Sequence, residues 1–70
     1  MAAFKVGDHV ERIGSLVPIY MRHGVVLRVI PNNEGLEWAT EYEVDFTYLK
    51  ATFIQSQLRL VKAASAQDPH

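Results

Sequence analysis

The strongest constraint on the fold is a strict alternation of side chains between Glu37 and Phe46. One set is aromatic, β-branched or hydroxylated, namely Trp38, Thr40, Tyr42, Val44 and Phe46, and the intervening set carries three Glu and one Asp. A period of two is typical of a β-strand with one face packed and the other in water. A helix would scatter the carboxylates around its surface. The pattern predicts a strand over Glu37–Phe46, with Trp38 and Tyr42 facing the core.

A second apolar run, Val25–Ile30, lies just before this strand and is rich in β-branched residues. The segment Pro31–Gly35 between the two runs is a strong turn signal, so we expect an antiparallel hairpin. Arg28 is the one polar residue in the run, so apart from Arg28 both faces of the predicted strand are apolar. One face is expected to pack on the core, and the other to meet a second layer or another subunit.

Three further strands are expected from the rest of the chain. Phe4–Ile13 reads as an opening strand with a turn or bulge at Gly7–Asp8, and we expect it to place Val6, Val10 and Ile13 in the core. After the hairpin come Lys50–Ile54, a short 3₁₀-type turn at Gln55–Gln57, and a closing strand at Leu58–Val61. Five short strands with a long first loop predict an all-β chain that closes into a small barrel.

The size of the chain limits it to one domain. A chain of 70 residues hides only about 60% of its unfolded surface on folding. It has no cysteine, so no disulfide can supplement the core, and stability must come from core packing or self-association. We predict a folded domain over residues 4–62, with disordered ends at 1–3 and 63–70.

Charge and hydropathy exclude several classes of function. The net charge is −1, which supplies no general attraction to nucleic acid. The apolar runs are far shorter than the ~20 residues of a membrane-spanning helix, and Gly7 and Asp8 interrupt the start before a signal peptide can develop. We therefore expect a soluble, cytoplasmic protein with no membrane partner.

Several short motifs resemble the Src-homology-3-like barrels of bacterial proteins. They are Phe4-x-x-Gly7-Asp8, Gly24-x-Val26, Tyr42-x-Val44-x-Phe46, and Leu58 after a short turn, and together they cover roughly residues 4–61. The resemblance implies a five-stranded barrel with a 3₁₀ turn before the last strand.

Two branches of that superfamily are similar in outline. Type II dihydrofolate reductases build a tetramer pore from a Val-Gln-Ile-Tyr segment, whereas this chain has Lys50–Gln55 there, so no catalytic residue carries over. Barrels of the nitrile hydratase β-subunit and of electron-transport accessory proteins show Pro-x-Tyr-x-Arg before Gly-x-Val, which Pro18–Val26 is similar to. That likeness implies a loop that contacts another subunit, without an enzymatic role.

The segment Leu16–Met21 is unusually apolar for a loop, and loops normally run exposed. It either folds over its own barrel as a lid or meets a partner. The interface residues that we predict are Leu16, Val17, Pro18, Ile19, Tyr20, Met21, Val26 and Ile30.

Weaker candidates exist for ligands. Arg12, Arg22, Arg28 and Arg59 could form a phosphate-binding stripe, although the carboxylates of the adjacent strand favour ion pairs instead. Tyr48 is the freest ring for an aromatic cage, since the strand pattern places Trp38 and Tyr42 in the core.

The histidines give the sequence little metal-binding potential. A metal site needs two or three ligands that converge, and the spacing of His9, His23 and His70 predicts no convergence. We therefore predict neither a metal nor a cofactor.

The function is not readable from these motifs. The leading hypothesis is a non-catalytic interaction module or accessory subunit that self-associates. The alternatives are a nucleic-acid-binding barrel and an enzyme whose site lies in a pore between subunits. A monomeric enzyme is not among them, because the sequence has no Gly-x-Ser-x-Gly elbow and no phosphate-binding glycine loop.

Overall fold

The computed structural model describes residues 3–64, which form one antiparallel sheet of five strands with three short 3₁₀ turns. The strands are β1 (His9–Arg12), β2 (Gly24–Ile30), β3 (Glu41–Asp45), β4 (Lys50–Ile54) and β5 (Leu58–Lys62). The turns are η1 (Ile19–Met21), η2 (Glu37–Ala39) and η3 (Gln55–Gln57). The all-β class and the five strands predicted from the sequence are confirmed.

The order of strands across the sheet is β4-β3-β2-β1-β5. The predicted hairpin is the pair β2–β3, in which Val26 lies opposite Val44 and Val29 opposite Tyr42. β4 continues from β3, and β5 returns to pair with β1, so β4 and β5 form the two edges. η3 is the three-residue segment that the sequence predicted between those edge strands.

The sheet curls strongly around its inner face. β1 and β4 are separated by two strands, which in a flat sheet would put them about 14 Å apart. The Arg12 guanidinium on β1 nevertheless lies 5.4 Å from the centre of the Phe53 ring on β4. In addition, the three residues of η3 connect the two edges of the sheet. The edges therefore approach each other at this corner.

The core lies inside the curl and consists of side chains from β1, β2, β3 and β5, from the chain just before β1 and from the residue just after β3. Its members are Phe4, Val10, Val26, Tyr42, Val44, Phe46 and Leu58. The Phe4 and Tyr42 rings meet edge to face at 5.1 Å, and the Ala3 amide donates to the Tyr42 hydroxyl at 2.9 Å. Burying a side chain of this size contributes about 1.5–3 kcal/mol.

Gly24 lets β2 lie directly on this core. A Cβ at this position would come within 2.6 Å of Val44 Cγ1 and 2.7 Å of Phe46 Cδ1. Such distances are far inside van der Waals contact, so only glycine fits without a shift of the core. Close packing against Val44 and Phe46 therefore explains why the Gly24-x-Val26 motif begins with glycine.

The predicted strand over Glu37–Phe46 is wrong in its first half. The chain turns at η2, where the Ala39 amide donates to the Leu36 carbonyl and the Thr40 amide to the Glu37 carbonyl. The alternation maps onto sheet faces only from Thr40 onward, so Tyr42 is buried as predicted, whereas Trp38 is 61% exposed.

The opening strand is also shorter than predicted. Phe4–Asp8 forms a turn in which Gly7 has φ +93° and the Asp8 amide donates to the Lys5 carbonyl, and β1 begins only at His9. Of the three expected core residues only Val10 is buried, because Val6 lies in the turn and Ile13 lies beyond the strand end.

The predicted disordered ends lie mostly outside the described residues. Ala3 and Ala64, at the two limits of the described chain, are both hydrogen-bonded through their amides, to Tyr42 and Asp8 respectively.

Candidate functional site

The loop between β1 and β2 presents its apolar side chains to solvent. Leu16 is 97% exposed, Ile19 82% and Tyr20 49%. Only Met21 packs against the core. Leu16, Ile19 and Tyr20 therefore do not cover the core of the sheet as a lid would.

Local hydrogen bonds give this loop a defined shape. The loop leaves β1 at Ile13, whose amide donates to the Gln57 carbonyl, and Gly14 then turns the chain with φ +128°. η1 closes the loop, with the Met21 amide on the Pro18 carbonyl at 3.0 Å. Leu16 also has a positive φ of 60°, a conformation that is uncommon for a residue with a side chain. These backbone hydrogen bonds therefore fix the two ends of the loop, and Leu16 lies between them.

The interface candidates on β2 behave differently from those in the loop. Val26 is 1% exposed and belongs to the core, so its prediction as an interface residue is wrong. Its side chain points inward because β2 alternates from the buried Gly24. Ile30 is partly exposed and borders a shallow cavity of about 200 Å³ between the end of β2 and η2.

Further apolar side chains are exposed outside the loop. The larger ones include Leu36 and Trp38 around η2, Leu60 and Val61 on the edge strand β5, and Tyr48 in the β3–β4 turn. Trp38 was expected in the core, because its position in the alternation concealed its exposure. The exposed apolar surface therefore includes more than the predicted loop.

Three of the four arginines of the predicted stripe border one cleft. The cleft has a volume of about 220 Å³ and lies beside the end of β1 and the start of the loop. Its lining residues are Glu11, Arg12, Ile13, Gly14, Val17, Arg22 and Arg59. Arg59 contacts Glu11 as an ion pair, and Arg12 donates to the Ile13 carbonyl.

Arg28 is not part of this cleft. Its guanidinium lies 3.3 Å from the Glu43 carboxylate on the neighbouring strand. The register of β2 and β3 places these two residues directly opposite each other. The expectation that carboxylates of the adjacent strand would pair with the arginines holds for Arg28.

His9 and His23 meet, although their spacing in the sequence did not predict it. His9 Nδ1 lies 3.0 Å from His23 Nε2, and the two rings stack with their centres 5.0 Å apart. The pairing of Val10 with Gly24 brings the residue before Gly24 beside β1. Among residues 3–64, no group of three His, Cys, Asp or Glu side chains could hold a metal ion.

Asp8 is a buried carboxylate whose hydrogen-bond partners are backbone amides. It is 4% exposed, and its two carboxylate oxygens accept the amides of Lys5 at 3.0 Å and Ala64 at 2.7 Å. The side chain therefore ties the turn before β1 to the chain after β5. Its hydrogen bonds account for its burial without a catalytic role.

In the part of the chain that the structure describes, no helix is long and apolar enough to cross a membrane. Comparison with known proteins finds no family model, no curated protein and no solved structure that matches this chain.

Proposed function

We propose that this chain is a small Src-homology-3-like barrel that acts as a non-catalytic, self-associating interaction module. The Leu16–Met21 loop is its contact surface. The observation that carries the proposal is the near-complete exposure of Leu16 and Ile19 in a loop whose shape is held by backbone hydrogen bonds.

The barrel part of the proposal is supported by the curl of the sheet. The edges β4 and β5 are joined by three residues, and the four steps from Ile54 to Leu58 span at most about 14 Å of extended chain. A flat five-stranded sheet would separate its edges by about 19 Å. The short connection therefore favours closure where β4 ends and β5 begins, and it is the 3₁₀ turn before the last strand that the resemblance implies.

The interaction part of the proposal is supported by the distribution of apolar surface. Single exposed apolar residues are ordinary on protein surfaces, whereas neighbouring ones usually mark an interface. Leu16, Ile19 and Tyr20 are neighbours in the first loop, and Val17 beside them lines the arginine cleft. A stable complex buries about 800 Å² per partner, which is about a sixth of the 4785 Å² that this chain exposes.

The other two functions have less support. An extended phosphate-binding stripe is disfavoured by the ion pairs of Arg28 with Glu43 and of Arg59 with Glu11. No observation favours a pore enzyme. The cytoplasmic location expected from the sequence stays a prediction.

The test is the solution mass over a wide range of protein concentration, by sedimentation equilibrium. The proposal predicts a reversible rise from the 7.9 kDa of one chain to a defined multiple of it. A mass that stays at one chain up to the highest concentration would overturn self-association.

A further inference from the structure

The arginine cleft is a local exception in a slightly acidic protein. Three guanidinium groups and the Glu11 carboxylate give its lining a formal charge of +2. The whole chain carries −1, so all other residues together carry −3. Such an asymmetry attracts an anion to this one place on the surface.

The guanidinium groups retain donors for that anion. A guanidinium has five N–H donors. Glu11 engages Arg59, and the Ile13 carbonyl engages Arg12, which is also held over the Phe53 ring. Arg22 is exposed and forms no ion pair among the described residues. The cleft can therefore add a carboxylate without losing the contacts that it already has.

The size and walls of the cleft narrow the class of occupant. Pockets for whole small-molecule ligands typically measure about 300–1,000 Å³, whereas this cleft measures about 220 Å³. It suits one side chain. Ile13 and Val17 form apolar walls, and Leu16 stands exposed beside them. These features favour a carboxylate flanked by apolar side chains over a nucleic-acid backbone.

This chain itself exposes such a segment. Glu34 is exposed in the turn between β2 and η2, and is followed by Leu36 at 40% exposure and Trp38 at 61%. The turn is ordered before any contact forms: the side-chain oxygen of Asn32 accepts the Glu34 amide at 2.9 Å, and the Asn32 carbonyl accepts the Gly35 amide. A preformed turn loses little conformational entropy on binding.

We propose that the Arg12–Arg22–Arg59 cleft of one copy binds the Glu34 carboxylate of a second copy, with Leu36 and Trp38 of that copy against the Leu16–Met21 loop. This inference rests on the proposed self-association and names its contact. It also gives the exposed Trp38 a role that the fold does not.

The test is a charge exchange between the two sides of the contact. Arg22→Glu and Glu34→Arg are each expected to raise the dissociation constant of self-association by about tenfold or more, because each places like charges together. An equimolar mixture of the two variants restores opposite charges in both contacts, and so does the double variant R22E/E34R. Both are expected to recover the wild-type association.

Matched controls separate this contact from a general effect of charge. Arg28→Glu and Lys50→Glu reverse a positive charge at exposed positions outside the cleft and outside the Glu34–Trp38 segment, and they are expected to leave the association constant within about twofold of wild type. Both contact residues are exposed, and the far-UV circular dichroism spectrum of each variant verifies that it folds.

Three outcomes would overturn the inference, and they differ from one another. If wild type stays monomeric, self-association fails as well. If wild type associates and a Leu16→Ser/Ile19→Ser variant does not, but the charge variants behave as wild type, only the cleft–Glu34 contact fails. If R22E associates as wild type does, but wild type binds a generic single-stranded RNA at low salt and R22E does not, the cleft is a phosphate site instead.

Discussion

The β2–β3 hairpin and the loop Gly14–His23 are both rich in apolar residues, but the hairpin buries several of them whereas the loop exposes most of its own. In the hairpin, Val26, Tyr42 and Val44 are 1% exposed or less. In the loop, Leu16 and Ile19 stand almost wholly in water. Since both regions have defined backbones, the difference is not one of order. The buried apolar residues of the hairpin stabilise the monomer, whereas in the loop only Met21 packs against the core and Leu16 and Ile19 contribute little to it.

The largest effect on stability is expected at Tyr42. Tyr42→Ala removes a fully buried ring, its edge-to-face contact with Phe4 and an acceptor for the Ala3 amide, and should lower the free energy of unfolding by about 3–5 kcal/mol. Urea denaturation followed by circular dichroism measures it. Trp38→Ala is the matched control from the same alternating segment, and we expect it to change stability by only about 0.5 kcal/mol.

If both substitutions cost the same, the distinction between buried and exposed members of this segment would be wrong. A large loss in W38A alone would place Trp38 in the core, as the alternation by itself suggested.

The next largest effect is expected at Gly24. Gly24→Ala inserts a methyl group against Val44 and Phe46 at distances of 2.6–2.8 Å, so the core must shift. Overpacking of this kind lowers the free energy of unfolding by about 1–3 kcal/mol, and we expect a loss near the upper end of that range. The same denaturation experiment measures it. Gly35→Ala is a useful control because its Cβ meets nothing within 4 Å, and only its positive φ of 76° opposes the change. Equal losses in the two variants would contradict steric crowding at Gly24.

A smaller effect is expected at Asp8. Asp8→Asn keeps the shape of the side chain but replaces one acceptor oxygen by an amide group, so one of the backbone amides of Lys5 and Ala64 loses its partner. The expected loss is about 1 kcal/mol. Hydrogen exchange of the Ala64 amide should accelerate more than that of amides in β3. Unchanged exchange at Ala64 would mean that Asp8 does not hold this end of the chain.

The smallest effect is expected at Arg28. Arg28→Ala breaks an ion pair with Glu43 in which the arginine side chain is 65% exposed. Because water screens such a pair, the free energy of unfolding should change by less than about 1 kcal/mol. Urea denaturation at low and high salt measures it, and a loss as large as that at Tyr42 would show that surface charge rather than the core decides stability.

Sequence patterns located every strand but not the ends of each one. The alternation from Thr40 to Phe46 reports on a real sheet face because its central residues, Glu41–Asp45, form one strand. Trp38 keeps the same parity by chance, since the 3₁₀ turn at Glu37–Ala39 lies outside the ladder. Val6 and Ile13 were misassigned for the same reason: each lies just outside β1.

The candidate site was only partly within reach of the sequence. The apolar composition of Leu16–Met21 singled out this segment, and the structure shows Leu16, Ile19 and Tyr20 exposed there; its role as an interface stays a prediction. The meeting of Arg12, Arg22 and Arg59, and of His9 with His23, depends on the register of β1 with β2 and β5. Register is set by long-range pairing, which local patterns do not contain.

The most direct test of the central claim is sedimentation equilibrium of the Leu16→Ser/Ile19→Ser variant beside wild type and a Tyr48→Ser control. Tyr48 is 86% exposed in the β3–β4 turn. Its replacement by serine therefore removes exposed apolar surface at a site away from the loop. The account predicts that wild type and Y48S associate with the same dissociation constant, while the loop variant remains a monomer of unchanged stability to urea. Association of the loop variant at the wild-type level, or its unfolding, would contradict the claim that this loop is a contact surface.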